Sequence, residues 1–363
     1  MKMEDALDAL IDYRGKTPKK SKTGIMTLSA KSVKNNHIDY SQCYFISEEE
    51  YEKFMVRGFP KKGDILLTTE APLGLVARLD RNDVAIAQRL LTLRGKENVL
   101  DNDYLLYYLQ SPIGQASLKA RETGTTVTGI KQAEFRKIEI EIPDYEVQKK
   151  VSGILRVIDK KIELNNAINN NLEQQTQAIY SRMFIEHRQE SWSTGQLSDL
   201  ISVKYGKDHK KLADGNYPVY GSGGIIRYVE KPLHTGESVL IPRKGTLNNV
   251  IYVNEAFWSV DTMFYTEMLH PNIAKFVYHF VKSKDLASLN AGSAVPSMTT
   301  NILNAMQLYI PDEKTLEKFE NIVSPMYSAM QENTKESKIL ANTRDTLLPK
   351  LMSGELDVSD IDL

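Results

Sequence analysis

Residues 142–183 read IPDYEVQKKVSGILRVIDKKIELNNAINNNLEQQTQAIYSRM, and residues 310–351 read IPDEKTLEKFENIVSPMYSAMQENTKESKILANTRDTLLPKL. The two segments align without a gap, the second starting 168 positions after the first, from Ile142 to Ile310. In both, a stripe of mainly apolar residues recurs at alternating steps of three and four, which keeps it on one face of a helix. The repeat therefore predicts two long helices that pair with each other as a coiled coil.

The predicted pairing residues are Leu155, Ile158, Ile162, Asn165, Leu172 and Ile179 in the first copy and Val323, Met326, Met330, Asn333, Leu340 and Leu347 in the second. A continuous helix over such a segment would be on the order of 50 Å long at about 1.5 Å per residue. Asn165 and Asn333 occupy equivalent seam positions, where a buried amide penalises registers that leave it unpaired. The alternative for these positions is a solvated, frayed middle.

Only the second copy contains a proline within the helical run, Pro325. Because proline lacks a backbone donor, we expect the second helix to kink there or to restart with Ser324 as its cap.

Length and composition set outer limits on this protein. A chain of 363 residues exceeds a single core, and the offset of the repeat indicates two halves, each a globular part followed by a long helix. The net charge of -1 excludes a global nucleic-acid signature, so any basic surface must be local. The single cysteine, Cys43, and the absence of an apolar run of about 18 residues favour a cytoplasmic protein with no membrane segment.

The first globular part carries a basic segment. From Tyr13 to Asn36 there is no acidic residue, whereas Arg14 and six lysines supply seven positive charges. Such a segment can hold phosphates, although a solvated basic loop is the simpler alternative. The acidic run Glu48–Glu52 would repel a polyanion, so we expect it to face a different direction.

Both halves show the same order of elements. Ile65–Thr69, Val84–Ala87 and Leu90–Leu93 are typical of strands, Asp103–Leu109 of a helix and Ile138–Ile142 of a half-exposed strand. In the second half, Gly236–Leu240 corresponds to the first of these strands and Lys275–Val281 to the helix. A shared order with little sequence identity indicates a duplicated scaffold whose two copies recognise different things.

The second globular part contains the glycine-rich segment Tyr217–Ile226. Glycines allow backbone amides to approach a ligand closely, but the Lys-Ser or Lys-Thr ending of a nucleotide-binding loop is missing. Basic and aromatic residues lie within and on both sides of this segment: Lys204, Tyr205, Lys207, Lys210, Lys211, Tyr220, Arg243 and Lys244. Basic and aromatic groups in this pattern suit contacts with phosphates and base edges.

No pattern of catalytic residues is visible. Asp144 and Asp159 superficially match a metal-dependent nuclease, but on one helix they would lie about 20 Å apart, so we expect a capping Asp144 and a solvent-facing Asp159. The six histidines have no metal-ligand spacing, and no glycine-rich dinucleotide motif or Asn-Pro-Pro-Tyr methyltransferase motif occurs. We therefore expect no metal and no catalysis in this chain.

Four segments together resemble the specificity (S) subunit of type I restriction-modification systems. They are YRGKTP at residues 13–18, the glycine-rich segment at 217–226, the two Ile-Pro-Asp helix starts, and LLPKLMSGE at residues 347–355. The resemblance covers nearly the whole chain. It implies an α/β fold of two mixed α/β target recognition domains separated by two long conserved helices, which pair antiparallel as a pseudo-twofold coiled-coil rod.

Four segments of the chain follow from this resemblance. The first target recognition domain, here called the first head, is predicted at residues 1–142 and the first helical spacer at 143–190. The second head is predicted at 191–309, and the second spacer with the C-terminal tail at 310–363.

The resemblance also implies function and partners. Each head would read one half of a bipartite, asymmetric site on double-stranded DNA, and the helices would set the gap and dock two modification subunits. Those subunits would carry S-adenosylmethionine and methylate adenine, and restriction subunits would join for cleavage. The chain itself would hold no cofactor. A helical scaffold with two protein-binding heads and no DNA readout is the alternative.

The predicted DNA-binding residues divide into two sets. In the first head they are Lys16, Lys19, Lys20 and Lys22 near phosphates, Arg14 and Thr17 in the same segment, and Thr68, Thr69, Glu70 and Thr125 near base edges. In the second head they are Lys204, Lys207, Lys211, Arg243 and Lys244 near phosphates, Tyr205 interleaved with them, and Tyr220, Ser222 and Thr246 near bases.

Overall fold

The computed structural model describes residues 1–13, 15–124, 128–289 and 296–361. Its backbone contacts divide the chain into two units, the first Met1–Asn165 with Lys335–Leu363 and the second Asn166–Thr334. Each long helix therefore contributes to both units. The four segments predicted from the family resemblance separate heads from helical spacers, which a division by backbone contacts does not test, so they stay a prediction.

The first unit contains two four-stranded sheets, with strands and helices numbered here in chain order. One sheet has the strand order β1 (Leu7–Asp12), β10 (Leu90–Gly95), β7 (Ile65–Thr68), β8 (Val76–Arg78). The other sheet has the strand order β2 (Lys20–Ser21), β6 (Tyr44–Ile46), β3 (Ile25–Leu28), β9 (Val84–Ile86). β4 (Val33–Lys34) and β5 (His37–Ile38) form a hairpin. All pairs are antiparallel except β3 with β9.

Short helices cover the sheets of the first unit: α1 (Met3–Ala6), α2 (Glu48–Phe54), α3 (Asn102–Gln110), α4 (Pro112–Ala120) and α5 (Gln132–Arg136). The predicted helix at Asp103–Leu109 is confirmed as α3, whose first turn is capped by the Asp101 carboxylate. The predicted strand at Ile138–Ile142 is wrong, because this segment makes only an isolated bridge, Glu139 with Lys2. Its alternating burial nevertheless places Ile138 and Ile140 in the core.

The second unit is built on one six-stranded sheet. Its order is β12 (Ile201–Tyr205), β17 (Met263–Met268), β15 (His234–Pro242), β16 (Ile251–Ser259), β13 (Asp214–Gly221), β14 (Gly224–Val229). β11 (Ser193–Gln196) and β18 (Gln307–Ile310) form a separate antiparallel pair. The helices are α7 (Ala274–Lys282) and α8 (Thr300–Asn304), and α7 confirms the helix predicted at Lys275–Val281.

The two units repeat one topology. The order β1-β10-β7-β8 corresponds to β12-β17-β15-β16, and the parallel pair β3–β9 corresponds to the parallel pair β13–β16. This confirms the predicted mixed α/β scaffold that occurs twice.

The two long helices are α6 (Tyr145–Tyr180), followed by a π-helical turn at Ser181–Glu186, and α9 (Glu313–Met352). α9 is continuous through Pro325, so the expected restart is wrong. Ser324 does not cap a new helix; its hydroxyl donates to the Glu320 carboxylate at 2.5 Å. Phe319 and Val323 are fully buried immediately before the proline, so core packing offsets the missing backbone hydrogen bond.

In the first unit, α6 and α9 run antiparallel. Leu155 shares a core with Leu351, and further along α6 the fully buried Asn165 donates its amide to Glu336 at 2.7 Å and to Ser337 at 3.2 Å. A seam amide with two acceptors on the facing helix is neither solvated nor frayed. The alternative of a frayed middle is therefore wrong at this position.

In the second unit, the equivalent seam residue Asn333 donates to the Asn169 side chain at 2.9 Å, and Asn169 donates to the Met330 carbonyl at 3.1 Å. The two pairs, Asn165 with Ser337 and Asn333 with Asn169, are related by the 168-residue offset of the repeat. Most other predicted pairing residues are half-buried: Ile158, Ile162, Leu172, Ile179, Met326, Met330, Leu340 and Leu347.

Asp159 is not solvent-facing as expected. Its side chain is 14% exposed, forms an ion pair with Arg344 at 2.7 Å and accepts a hydrogen bond from the Tyr107 hydroxyl at 2.8 Å. Burial and the neighbouring Asp159 carboxylate raise the pKa of Tyr107. The carboxylate thereby ties α6 both to α9 and to α3 of the first head.

A buried polar cluster lies where α7 of the second head meets the two long helices. His279 of α7 is fully buried, with Gln177 at 2.9 Å from its Nδ1 and the Tyr327 hydroxyl at 3.0 Å from its Nε2. Burial, together with the nearby Lys282 ammonium, lowers the pKa of His279 to about 4. The imidazole is therefore neutral at pH 7.

Among the described residues, no helix combines the length and the hydropathy that a membrane span requires.

Replacing Arg344 with alanine should destabilise the first unit by about 2 kcal/mol, because Asp159 would remain largely buried without its counter-ion. Urea unfolding, with hydrogen exchange in α3 and α6 as the local readout, measures this. The control is Lys160→Ala on the same helix, whose pair with Glu163 is exposed on both sides and should contribute under about 0.5 kcal/mol. Equal losses in the two variants would contradict the anchoring role of Asp159.

Acidification should weaken the second unit through His279. Its folded-state pKa of about 4 lies below the unfolded value of 6.5, so between these values the unfolded chain binds more protons and stability falls as the pH falls. The expected loss from this residue is about 2 kcal/mol between pH 7 and pH 5. In His279→Gln, urea unfolding should show a smaller pH dependence, whereas His270→Gln at an exposed position should behave as the parent. An unchanged pH dependence in His279→Gln would refute the assignment.

Candidate nucleic-acid interface

Backbone hydrogen bonds gather several chain segments at one edge of the second head. The Lys207 amide donates to the Ser259 carbonyl at 2.8 Å, and the Val260 amide donates to the Tyr220 carbonyl at 3.1 Å. The segment that follows β12 and the turn between β16 and β17 therefore meet the end of β13. Residues from three distant parts of the sequence form one edge.

The loop after β15 joins the same edge. The Arg243 amide donates to the Thr262 carbonyl at 2.8 Å, and the Met298 amide donates to the Arg243 carbonyl at 2.9 Å. The Asn249 side chain donates to the Ser222 carbonyl at 2.7 Å, which ties this loop to the glycine-rich hairpin. Gly245, with φ of 88°, adopts the left-handed conformation that glycine tolerates best. The loop is therefore held at both ends.

An aromatic ring and a guanidinium lie together on this edge. The Tyr205 side chain is 52% exposed, and the Arg243 guanidinium carbon lies 5.4 Å from the centre of its ring. Arg243 also donates to the Asp261 carbonyl at 3.0 Å. A planar cation beside an exposed ring provides both a charge for phosphate and a surface for stacking.

The structure separates the predicted cations of the second head. Lys204 forms an ion pair with Glu267 at 3.4 Å, so its charge is locally balanced. Lys207, Lys211 and Lys244 are exposed, and among residues 1–13, 15–124, 128–289 and 296–361 none of their ammonium groups forms an ion pair. Lys207 and Lys244, whose amides donate to Ser259 and Thr262, are the cations of this edge most available to a polyanion; Lys211 lies before the start of β13.

The predicted base-contacting residues of the second head differ in exposure. Tyr220 is only 8% exposed and donates its hydroxyl to Glu255 at 2.6 Å; burial, together with Glu255, raises its pKa. Ser222 is half-buried, and Thr246 is exposed on the loop after β15. The placement favours Thr246 over Tyr220 for contact with a ligand.

In the first head, Thr68 has a structural place. It is fully buried, donates its hydroxyl to the Pro72 carbonyl at 2.7 Å and accepts the Leu75 amide at 2.9 Å. The hydroxyl therefore closes the loop after β7. Thr69 is 2% exposed, and among the described residues its hydroxyl has no hydrogen-bond partner.

Glu70 is half-buried and forms an ion pair with Arg89 at 2.8 Å. Arg89 was not predicted from the sequence. It is brought to Glu70 by the backbone bond from the Thr69 amide to the Arg89 carbonyl, at 3.1 Å. A single arginine between two predicted strands carries no sequence signal that would have identified it.

The basic segment of the first head lies beside an acidic helix. Lys16, Thr17, Lys19, Lys20 and Lys22 are exposed, with the Lys20 ammonium 4.7 Å from the centre of the Tyr44 ring. The expected separation from the acidic run is wrong, since the Lys19 amide donates to the Glu50 carboxylate at 2.8 Å.

The predicted residues Arg14 and Thr125 lie outside the described residues. Within the described part of the chain, no group of three His, Cys, Asp or Glu side chains is placed to hold a metal ion.

Comparison with known proteins identifies relatives for both halves. The family model described as "Type I restriction modification DNA specificity domain" matches residues 10–174 and again residues 189–340. The type I restriction enzyme MjaIX specificity subunit of Methanocaldococcus jannaschii is 22% identical over 359 residues, which cover 87% of this chain and 82% of that protein. The HindI specificity subunit of Haemophilus influenzae is 20% identical, with 82% of this chain and 87% of that protein covered.

Among solved structures, the type I restriction-modification S subunit from M. genitalium superimposes with a TM-score of 0.64. The match covers 97% of this chain and 95% of that one at 20% identity. At this identity the similarity establishes a common fold.

Replacing Thr68 with valine, which is similar in shape, should cost about 1–3 kcal/mol because the buried Leu75 amide loses its acceptor. Hydrogen exchange across residues 69–75 should accelerate, and the urea midpoint of the first unit should fall. Thr17→Val at an exposed site is the control and should leave both unchanged. A variant that keeps its stability but alters ligand preference would instead assign the hydroxyl to recognition.

Proposed function

This chain belongs to the family of type I restriction-modification DNA specificity subunits, and from that membership we propose that it is the non-catalytic subunit that selects the DNA sequence. The observation that carries the proposal is the family match over both halves of the chain, which includes most of each head. In this proposal, each head contacts duplex DNA and the chemistry is supplied by other subunits.

The edge of the second head supports contact with DNA. Lys207 and Lys244 carry exposed charges there, and Arg243 lies against the exposed ring of Tyr205. Most protein–DNA hydrogen bonds go to phosphates and sugars, which position the protein, whereas neighbouring polar side chains read base edges. Thr246 and Ser222 are the polar side chains adjacent to these cations. Other residues in the same loops are structural.

We propose that the target is bipartite and asymmetric. The two heads share a topology but differ in the side chains at its loops, so each would read a different half-site. α6 and α9 each contribute to both units, which supports a role in setting the unread gap. Half-sites one helical turn apart, roughly 34 Å, would lie on the same face of the duplex.

We further propose that the paired helices dock two modification subunits. Apolar side chains are exposed along them, including Val157 at 70%, Leu164 at 47% and Ile339 at 65%. Val157 and Leu164 are seven residues apart on α6 and therefore lie on one face of it, and a contiguous exposed apolar face is typical of a protein contact surface. The docked subunits would bind S-adenosylmethionine and methylate a flipped adenine in each half-site, and restriction subunits would complete the cleaving complex.

DNA binding by the purified full chain tests the proposal against the alternative of a scaffold with protein-binding heads. The affinity for duplex DNA should fall steeply with salt, and Lys207→Gln and Lys244→Gln should each lower the slope of log affinity against log salt by about 0.9. Both variants should weaken binding to every sequence alike.

The matched control is Lys231→Gln. Lys231 is exposed and precedes β15 by three residues, whereas Lys244 follows the end of that nine-residue strand. The two lysines therefore lie at opposite ends of the strand. Binding that ignores salt, or an equal loss in Lys231→Gln, would favour the scaffold.

A further inference from the structure

Backbone hydrogen bonds identify equivalent positions in the two heads. In the first head, the Thr69 amide donates to Arg89 at 3.1 Å and the Thr69 carbonyl accepts from Ile130 at 2.9 Å. In the second head, the Arg243 amide donates to Thr262 at 2.8 Å and the Arg243 carbonyl accepts from Met298 at 2.9 Å. Thr69 thus corresponds to Arg243, and Arg89 corresponds to Thr262.

The next residue extends the correspondence. Glu70 forms an isolated bridge with Gly129, and Lys244 forms one with Ser297. Gly129 and Ser297 are themselves separated by the 168-residue offset of the repeat. The same backbone frame therefore presents a threonine, a carboxylate and a guanidinium in the first head, where the second head has a guanidinium, an ammonium and a threonine.

Arg89 is held in a defined place. Its Nε lies 2.8 Å from the Glu70 carboxylate, and its side chain is still 52% exposed. Its backbone φ is 70°, a left-handed conformation that is uncommon for residues other than glycine. Such conformations cost free energy and concentrate at ligand-binding sites. An ion pair that limits the orientations of an exposed guanidinium reduces the entropy lost when it binds.

We propose that Arg89 is a base-reading residue of the first head, that Glu70 is the positioning residue that orients it, and that the base is a guanine in the major groove. The inference rests on the proposed DNA-binding function. Arginine donates to the O6 and N7 atoms of guanine through two parallel hydrogen bonds, the commonest specific contact between a side chain and a base. The second head, with Thr262 at this position, reads a different base chemistry.

The test is selection of duplexes from a pool of random-sequence DNA by the full chain. The parent should enrich a split motif with a guanine in one half. Arg89→Gly removes the side chain and suits the positive φ, so the loop should keep its conformation. This variant should lose the preference at that one position by about 10- to 100-fold and retain the rest of the motif.

Two further variants separate a reading role from charge alone. Arg89→Lys keeps the charge but not the planar fork, so it should retain affinity for random DNA and lose the guanine preference. Glu70→Gln removes a negative charge, so affinity for random DNA should rise while discrimination at the same position falls. The control is Arg81→Ala. Arg81 pairs with Asp83 and precedes β9, whereas Arg89 follows that strand.

The outcomes separate this inference from the proposed function. A parent chain that enriches no motif would overturn the proposed function and this inference with it. A parent motif that persists unchanged in Arg89→Gly would overturn only the role of Arg89. A uniform loss of affinity across all sequences in that variant would make Arg89 a phosphate contact and would equally overturn base reading.

Discussion

The seam amides between the long helices constrain the rest of this structure. Asn165 is fully buried, and its amide nitrogen donates to Glu336 and Ser337, which lie opposite it on α9. A buried polar group without a partner costs about 1–3 kcal/mol, so a helix shifted by one turn would be penalised. The pair Asn333–Asn169 repeats the constraint in the second unit. The register of α6 against α9 is therefore set twice, by polar contacts rather than by apolar packing, which tolerates sliding.

That register matters because the heads are attached to the helices by buried polar groups. Asp159 connects α6 to Arg344 of α9 and to Tyr107 of α3 in the first unit. In the second unit, His279 of α7 contacts Gln177 and Tyr327 of the two helices. A change in helix register would leave these groups unpaired.

Within the heads, backbone and side chains have separate roles. The bonds from Thr69 to Arg89 and from Arg243 to Thr262 use only main-chain atoms, so the loop geometry does not depend on which side chains it carries. The same frame can therefore present Glu70 with Arg89 in one head and Arg243 with Lys244 in the other. Thr68 shows the opposite case, a polar side chain consumed in holding its own loop. Residue type alone does not distinguish the two roles.

The repeat, the helical periodicity and the strand patterns were sufficient to predict two halves with the same order of strands and helices, two paired helices and the seam positions of Asn165 and Asn333, whereas the mixed α/β domains followed from the family resemblance. Local patterns could not show that Asp159 is shielded by Tyr107, that α9 continues through Pro325, or that Glu50 reaches the backbone of Lys19. Each depends on partners distant in sequence, except at Pro325, where burial of the neighbouring residues outweighs the proline. Arg89 was missed for the same reason: its approach to Glu70 exists only once β7 has paired with β10.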